Sequence, residues 1–131
     1  MRTNYAHYEV EAKIAAQLGL PWHMNMQDWP IEVSDADRVD EFLHALIAAQ
    51  DREERICLLE LVLASLDEWI AVRQPVEDST PGDTVQRVIS SVSSTLVEFP
   101  DIANYWANYW QDHDLPITQH IRKLLADFSF E

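Results

Sequence analysis

The chain has 131 residues, of which 47% are apolar and 10% are aromatic, and this is enough to bury the core of one compact domain. Its 23 acidic and 9 basic side chains give a formal net charge of -14, and such a surface repels nucleic acid and anionic lipid. The composition therefore excludes a disordered chain and argues against nucleic-acid and membrane binding. It leaves two interpretations of the charge: it attracts a basic partner, or it only keeps the protein dispersed in solution.

Glycine and cysteine are both scarce. Gly19 and Gly82 are the only glycines, too few for the turns of an all-β domain or for a glycine-rich phosphate loop. The single cysteine, Cys57, excludes an internal disulfide and is typical of a reducing compartment. The first residues lack the features of a signal peptide, and no apolar run is long enough to span a bilayer. We therefore expect a cytoplasmic protein.

The first predicted helix is capped by Thr3 and stops at Gly19, with Pro21 close behind. Its apolar positions recur at helical spacing, at Val10, Ile14 and Leu18. The following stretch, "PWHMNMQDWPIEV" (21–33), holds two prolines and shows no sustained period of either kind. We interpret it as an ordered loop that packs over the core.

Ser34 or Asp35 can cap the second predicted helix. The apolar positions of this helix follow the i, i+3, i+4, i+7 pattern and consist of Val39, Phe42, Leu43, Leu46 and Ile47. Its acids are expected on the outside and consist of Asp37, Asp40 and Glu41. The pattern predicts a helix that buries one face and exposes the other.

The third predicted helix, "REERICLLELVLASLDEWIAVRQ", begins after Asp51, which forms a capping-box-like start with Glu54, and it stops before Pro75. Apolar residues occupy most of its circumference, and such a helix belongs in the centre of a bundle. Cys57 lies within it, and we expect a buried, unreactive thiol.

Residues 75–84, "PVEDSTPGDT", form the clearest predicted loop, with two prolines, a glycine and three acids. Asp83 or Thr84 caps the fourth predicted helix, which ends at Pro100. Its apolar side consists of Val85, Val88, Ile89, Val92, Leu96 and Phe99. Its other side is small and uncharged, and we expect another helix to approach closely over Ser90, Ser91, Ser93 and Ser94.

The fifth predicted helix contains the repeated tetrapeptide "ANYWANYW" (103–110), and a sixth begins near Pro116. The inward positions of the sixth are Ile117, Ile121, Leu124, Leu125 and Phe128. Together these segments predict an all-α fold, a single compact bundle of about five to six helices over residues 1–131.

The repeated tetrapeptide has two interpretations. Residues four apart on a helix lie about 40° from each other, so the tyrosines form one stripe and the tryptophans a second, as wide together as an ordinary buried face. Tyrosine and tryptophan also keep a polar group and are enriched where a surface meets a partner. We predict that Tyr105 and Trp106 are mainly buried and that Tyr109 and Trp110 lie at an edge of the domain.

No catalytic or metal-binding pattern stands out. The five histidines form no H-E-x-x-H sequence, and there is no Cys-x-x-Cys pair. The segment Asp112–Asp114 lacks the glycine and the closing glutamate of a calcium loop. No serine lies in a G-x-S-x-G sequence, and adjacent carboxylates such as Glu53 and Glu54 point in different directions on a helix. We expect a protein that is not an enzyme and that uses no metal or cofactor.

An acidic helical protein with tyrosine and tryptophan beside carboxylates resembles bacterial immunity proteins, which neutralise a toxin made by the same cell. The resemblance depends on the net charge, on the central helix "DREERICLLELVLASLDEW" and on the acid-flanked patch "DIANYWANYWQDHD". It implies that the partner is a basic toxin domain, often a nuclease. Acidic complementarity would then speed association, and buried aromatic side chains would slow dissociation.

The predicted partner-binding residues form two groups. Arginine side chains of a basic partner can stack on an aromatic ring while they pair with a nearby carboxylate. The first surrounds the aromatic repeat and consists of Asp101, Tyr109, Trp110, Asp112 and Asp114. The second lies in the acidic loop and consists of Glu77, Asp78 and Asp83. Two other functions stay open, a helical adaptor or self-associating scaffold and a mimic of nucleic acid. The oligomeric state is also open.

Overall fold

The computed structural model of the chain describes residues 8–22, 29–73, 82–108 and 121. Within these ranges the secondary structure is helical and contains no β-strand, so the predicted all-α class is confirmed. The six α-helices are α1 (Tyr8–Leu18), α2 (Trp29–Glu32), α3 (Val39–Ala48), α4 (Arg52–Arg73), α5 (Gly82–Glu98) and α6 (Pro100–Asn108), with a 3₁₀ turn at Ala36–Arg38. Of the predicted sixth helix only Ile121 is described, and it is helical and buried.

The C-terminus of α1 is built as the sequence predicts. Gly19 has a φ of 69°, a left-handed conformation that residues with a Cβ adopt only at a cost. The N–H of Leu20 then donates to the carbonyl of Ala15 at 2.8 Å, as in a Schellman motif. Gly19 therefore ends α1, while the predicted cap at Thr3 lies outside the described residues.

Part of the stretch that follows is helical, and residues 23–28 lie outside the described ranges. Trp29–Glu32 forms a single helical turn, α2, in which Trp29 and Pro30 are buried. The indole N–H of Trp29 donates to the carbonyl of Pro21 at 2.7 Å and joins α2 to the residues that follow α1. The loop interpretation is thus wrong for these four residues, because burial of one tryptophan stabilises a turn too short to show a helical period.

The segment before α3 resolves the choice of cap. The Asp35 carboxylate accepts from the N–H of Asp37 at 3.0 Å and caps the 3₁₀ turn, which leads directly into α3. The predicted core positions of α3 are buried except Ile47, which is 64% exposed. That prediction was wrong because Ile47 lies about 80° from Val39 and seven residues after Asp40, on the side of the helix that carries Asp40.

Helix α4 lies at the centre, as predicted, and packs against α1, α2, α3, the 3₁₀ turn and α5. The Asp51 carboxylate caps it by accepting from the N–H of Glu54 at 3.1 Å. Every residue of 56–66 is buried, so this helix has no solvent-facing side over three turns. The buried stretch includes the polar Glu60 and Ser65, and Ser65 accepts from the N–H of Asp35 at 3.0 Å.

Helix α5 begins at Gly82, so residues 82–84 are helical where a loop was predicted, and residues 75–81 lie outside the described ranges. Asp83 and Thr84 lie within the first turn of the helix, after the cap position. All six predicted apolar positions of α5 are buried. The serine side is not a packing surface, since Ser90, Ser91 and Ser94 are exposed and Ser93 is only half-buried. The hydroxyls of Ser91 and Ser93 donate to carbonyls of their own helix, each at 2.8 Å, so they need no neighbouring helix.

A single buried residue, Phe99, separates α5 from α6. Its N–H donates to the carbonyl of Thr95 at 3.0 Å, and its own carbonyl accepts from Ile102 and Ala103. The two helices therefore meet at a tight corner. In the described ranges no helix has the length and apolar character needed to cross a lipid bilayer.

Candidate interaction surface

The aromatic repeat is mostly a core feature in its first half. On α6 the buried side chains are Ile102, Ala103 and Trp106, whereas Asn104 is exposed. The ring of Tyr105 is half-buried and packs edge-to-face on Trp106, with centroids 5.8 Å apart and planes at 79°. Burial is thus confirmed for Trp106 but only in part for Tyr105, which lies at the margin of the core.

Most of the predicted partner-binding residues lie outside the described ranges: Tyr109, Trp110, Asp112, Asp114, Glu77 and Asp78. Asp101 is exposed in the first turn of α6. Asp83 lies in the first turn of α5, and Asp101 follows the other end of that helix. Because α5 has 17 residues and is about 25 Å long, the two acids are far apart. The structure does not bring these two acids together.

All basic side chains that the structure describes are held by an acid or an aromatic ring. Arg38 makes a two-pronged contact with Glu41, at 2.8 and 2.7 Å, and also donates to the carbonyl of Leu18 at 2.6 Å. The other contacts are Lys13 with Glu54 at 2.6 Å, Arg87 with Asp40 at 2.8 Å, Arg55 with Glu98, and Arg52 over the ring of Phe99. The contact with Glu54 raises the pKa of Lys13, and the contact with Arg38 lowers the pKa of Glu41.

Four acids lie around the end of α2 and form a surface that the sequence pattern did not predict. We define the acidic turn as Glu32, Asp35, Asp37 and Glu68. The Ser34 hydroxyl lies 2.9 Å from the Glu68 carboxylate and 3.1 Å from the Ile31 carbonyl, so it joins α4 to the end of α2. Ile31 is 41% exposed next to these carboxylates. The dense acids of "IEVSDADRVDE" were a signal of this surface, but the contribution of Glu68 depends on helix packing.

A groove of about 220 Å³ lies between α1 and α3, above the start of α4. Its apolar lining consists of Ile14, Leu18, Ala45, Ala48, Ala49 and Leu58, with Gln17 and Glu54 at its rim. We call this the α1–α3 groove. One end is bordered by the Arg38 contact with the Leu18 carbonyl, and the other by the ion pair of Lys13 with Glu54.

The described residues offer binding surfaces more readily than reactive groups. Cys57 is buried, and burial raises the pKa of its thiol, so it is not an accessible nucleophile. Among the residues that the structure describes, no three histidine, cysteine or acidic side chains are placed to hold a metal ion.

Comparison of the chain with protein-family models, with curated proteins and with solved structures finds no match.

Proposed function

We propose that the protein is an immunity or inhibitor protein of a bacterial cytoplasm, and that it neutralises a basic toxin domain by binding it. The observation that carries the proposal is the state of its charges. The described lysine and arginine side chains each contact an acid or an aromatic ring of the protein itself. Glu32, Asp37 and Glu68 of the acidic turn are exposed, in a chain with a net charge of -14. A partner with exposed lysine and arginine fits such a surface.

The acids act mainly on the rate and specificity of association. A single exposed ion pair contributes about 0 to 1 kcal/mol, so the acidic turn alone does not make a tight complex. Summed over the surface, however, negative charge steers a basic partner and repels acidic competitors. Tight binding then requires buried apolar or aromatic contacts beside the charges, and Ile31 supplies one apolar side chain at this place.

The first experiment identifies the partner. The tagged protein is isolated from its native cells at low salt, and the co-purifying proteins are identified by mass and tested for toxicity when expressed alone. We expect a basic protein bound one to one, whose toxicity disappears when this protein is co-expressed. If the protein emerges without a basic partner, or if the partner is harmless alone, the inhibitor proposal is wrong.

The second experiment tests the acidic turn with variants of equal charge. Glu32→Gln with Glu68→Gln removes two carboxylates from the acidic turn, and Glu9→Gln with Glu53→Gln removes two from α1 and from the start of α4. We expect the first pair to slow association with the identified partner about tenfold at low salt and the second pair to slow it much less. Equal effects of both pairs would mean that only total charge matters and that this surface is not the contact.

A further inference from the structure

We propose that the α1–α3 groove binds one apolar side chain of the basic partner, at a place where basic residues flank that side chain in the partner's sequence. The inference rests on the proposed function, because the occupant belongs to the same basic partner. It adds an apolar contact to a surface otherwise described by its charge.

The size of the groove suits a single large side chain. Its volume is about 220 Å³, and an engineered protein cavity of about 150 Å³ already binds benzene. Ala45 and Ala48 of α3, and Ala49 directly after it, carry only methyl groups and leave this space between the helices. Ile14 and Leu58 form a buried apolar floor. A phenylalanine or leucine side chain would therefore exchange water for apolar contacts.

Both ends of the groove favour positive charge. Leu18 is the last residue of α1 and Ala48 is the last residue of α3, and the C-terminus of a helix carries a partial negative charge. Neither helix has a basic residue of its own in its last turn. The C-terminal charge of α1 is met by Arg38, which comes from the 3₁₀ turn before α3. Carboxylates stand nearby in each case, Glu41 toward the Leu18 end and Glu54 at the other.

The protein's own cations show what these ends bind. Arg38 lies against the Leu18 carbonyl and Glu41 at one end, and Lys13 lies against Glu54 at the other. The side chain of Glu41 is still 51% exposed, so it can accept a further cation from outside. It lies four and seven residues before Ala45 and Ala48, on the same side of α3. A segment with the order basic, apolar, basic matches this arrangement.

The probe is a set of three peptides that differ only in charge or in the central residue. They are acetyl-Arg-Arg-Phe-Arg-Arg-amide, the same peptide with serine in place of phenylalanine, and acetyl-Glu-Glu-Phe-Glu-Glu-amide. Binding to the full chain is measured by calorimetry and by amide shifts in nitrogen-proton correlation spectra. We expect the phenylalanine peptide to bind about tenfold more tightly than the serine peptide and to shift the amides of Leu18, Ala45 and Ala48. The acidic peptide should not bind.

A filled groove provides the matched control. Ala48→Leu places a larger side chain in the groove, whereas Ala71→Leu makes the same change at an exposed position of α4, 13 residues beyond Leu58 and about 20 Å along the helix. Both positions are exposed, so both variants should keep the wild-type circular dichroism. Ala48→Leu should reduce binding of the phenylalanine peptide about tenfold to the level of the serine peptide, and Ala71→Leu should leave it unchanged.

The outcomes separate this inference from the proposed function. If the two basic peptides bind equally well, or if Ala48→Leu has no effect, the groove is not the contact, although a basic partner can still bind elsewhere. If neither basic peptide binds, the inference is overturned, whereas the proposed function is decided by the isolation of the partner. Self-association of the protein that Ala48→Leu abolishes would assign the groove to a second copy and would overturn the inference.

Discussion

The burial of Trp29 predicts a large loss of stability when this side chain is removed, which the sequence alone did not indicate. Its side chain is fully buried, and its indole N–H donates to the carbonyl of Pro21 at 2.7 Å. A tryptophan buries about 150 to 250 Å², which at about 25 cal/mol per Å² is worth about 4 to 6 kcal/mol as an upper value. Core Phe or Trp to Ala substitutions cost about 3 to 5 kcal/mol. We therefore expect Trp29→Ala to lower the free energy of unfolding by about 4 kcal/mol.

A second substitution separates the ring from its hydrogen bond. Trp29→Phe keeps most of the apolar contact but removes the N–H, so its cost combines a lost hydrogen bond of about 1 kcal/mol with a smaller loss of packing. It should fall well below the cost of Trp29→Ala. The carbonyl of Pro21 can then turn to water, because Pro21 itself is exposed.

The assay is urea unfolding followed by far-ultraviolet circular dichroism, since removal of a tryptophan would disturb a fluorescence signal. Ile31→Ala is the matched control, because Ile31 lies in the same helical turn but is 41% exposed. It should cost less than about 1 kcal/mol. If Trp29→Ala costs no more than Ile31→Ala, the burial of Trp29 does not stabilise the domain.

Four other predictions concern single positions. Asp51→Ala should lower the free energy of unfolding in urea by about 1 kcal/mol because the hydrogen bond to the Glu54 N–H is lost, while Asp51→Asn should cost little. Equal losses in the two variants would mean that the Asp51 side chain does not stabilise α4 as a cap. Gly19→Ala should lower the free energy of unfolding by about 1 kcal/mol because of its φ of 69° alone, since an added Cβ meets no atom within 4 Å. An unchanged urea midpoint would contradict this expectation. Leu46→Ala should lower the free energy of unfolding by about 2 to 5 kcal/mol and Ile47→Ala by less than about 1 kcal/mol, since only Leu46 is buried. Similar costs for the two variants would contradict the described buried face of α3. Cys57 should react with a thiol reagent at pH 8 only after unfolding, and fast labelling of the native protein would oppose its burial. Because burial raises its folded pKa, its contribution to stability should be full below the unfolded thiol pKa of about 8.5 and should decline as the pH rises further.

The sequence predicted the helices and several of their ends because those signals are local. Gly19 can adopt a left-handed φ wherever it stands, and Asp51 caps the helix that begins at the next residue by accepting from an N–H three residues away. The apolar content of residues 56–66 likewise required a central helix, since no single surface could cover all of its sides. These features follow from backbone conformation and from hydrophobic period, which a sequence displays directly.

Predictions at the edges of apolar stripes were less secure. Ile47 fits the period of its helix, and yet it is exposed because the neighbouring helices cover only part of α3. The serines of α5 looked suited to close packing but are mostly exposed. Whether a borderline position is buried depends on which helices pack beside it, and periodicity within one helix does not contain that information.

By itself, then, the sequence determined the all-α class, the central place of α4 and the negative charge of the surface, because composition and spacing decide them. Only the tertiary structure placed Glu68 beside the acids that follow α2 and opened the α1–α3 groove over Leu58. These surfaces bring together residues about 30 to 45 positions apart, as Ser34 and Glu68 are. Their contact depends on how whole helices pack, and no local pattern along the chain encodes it.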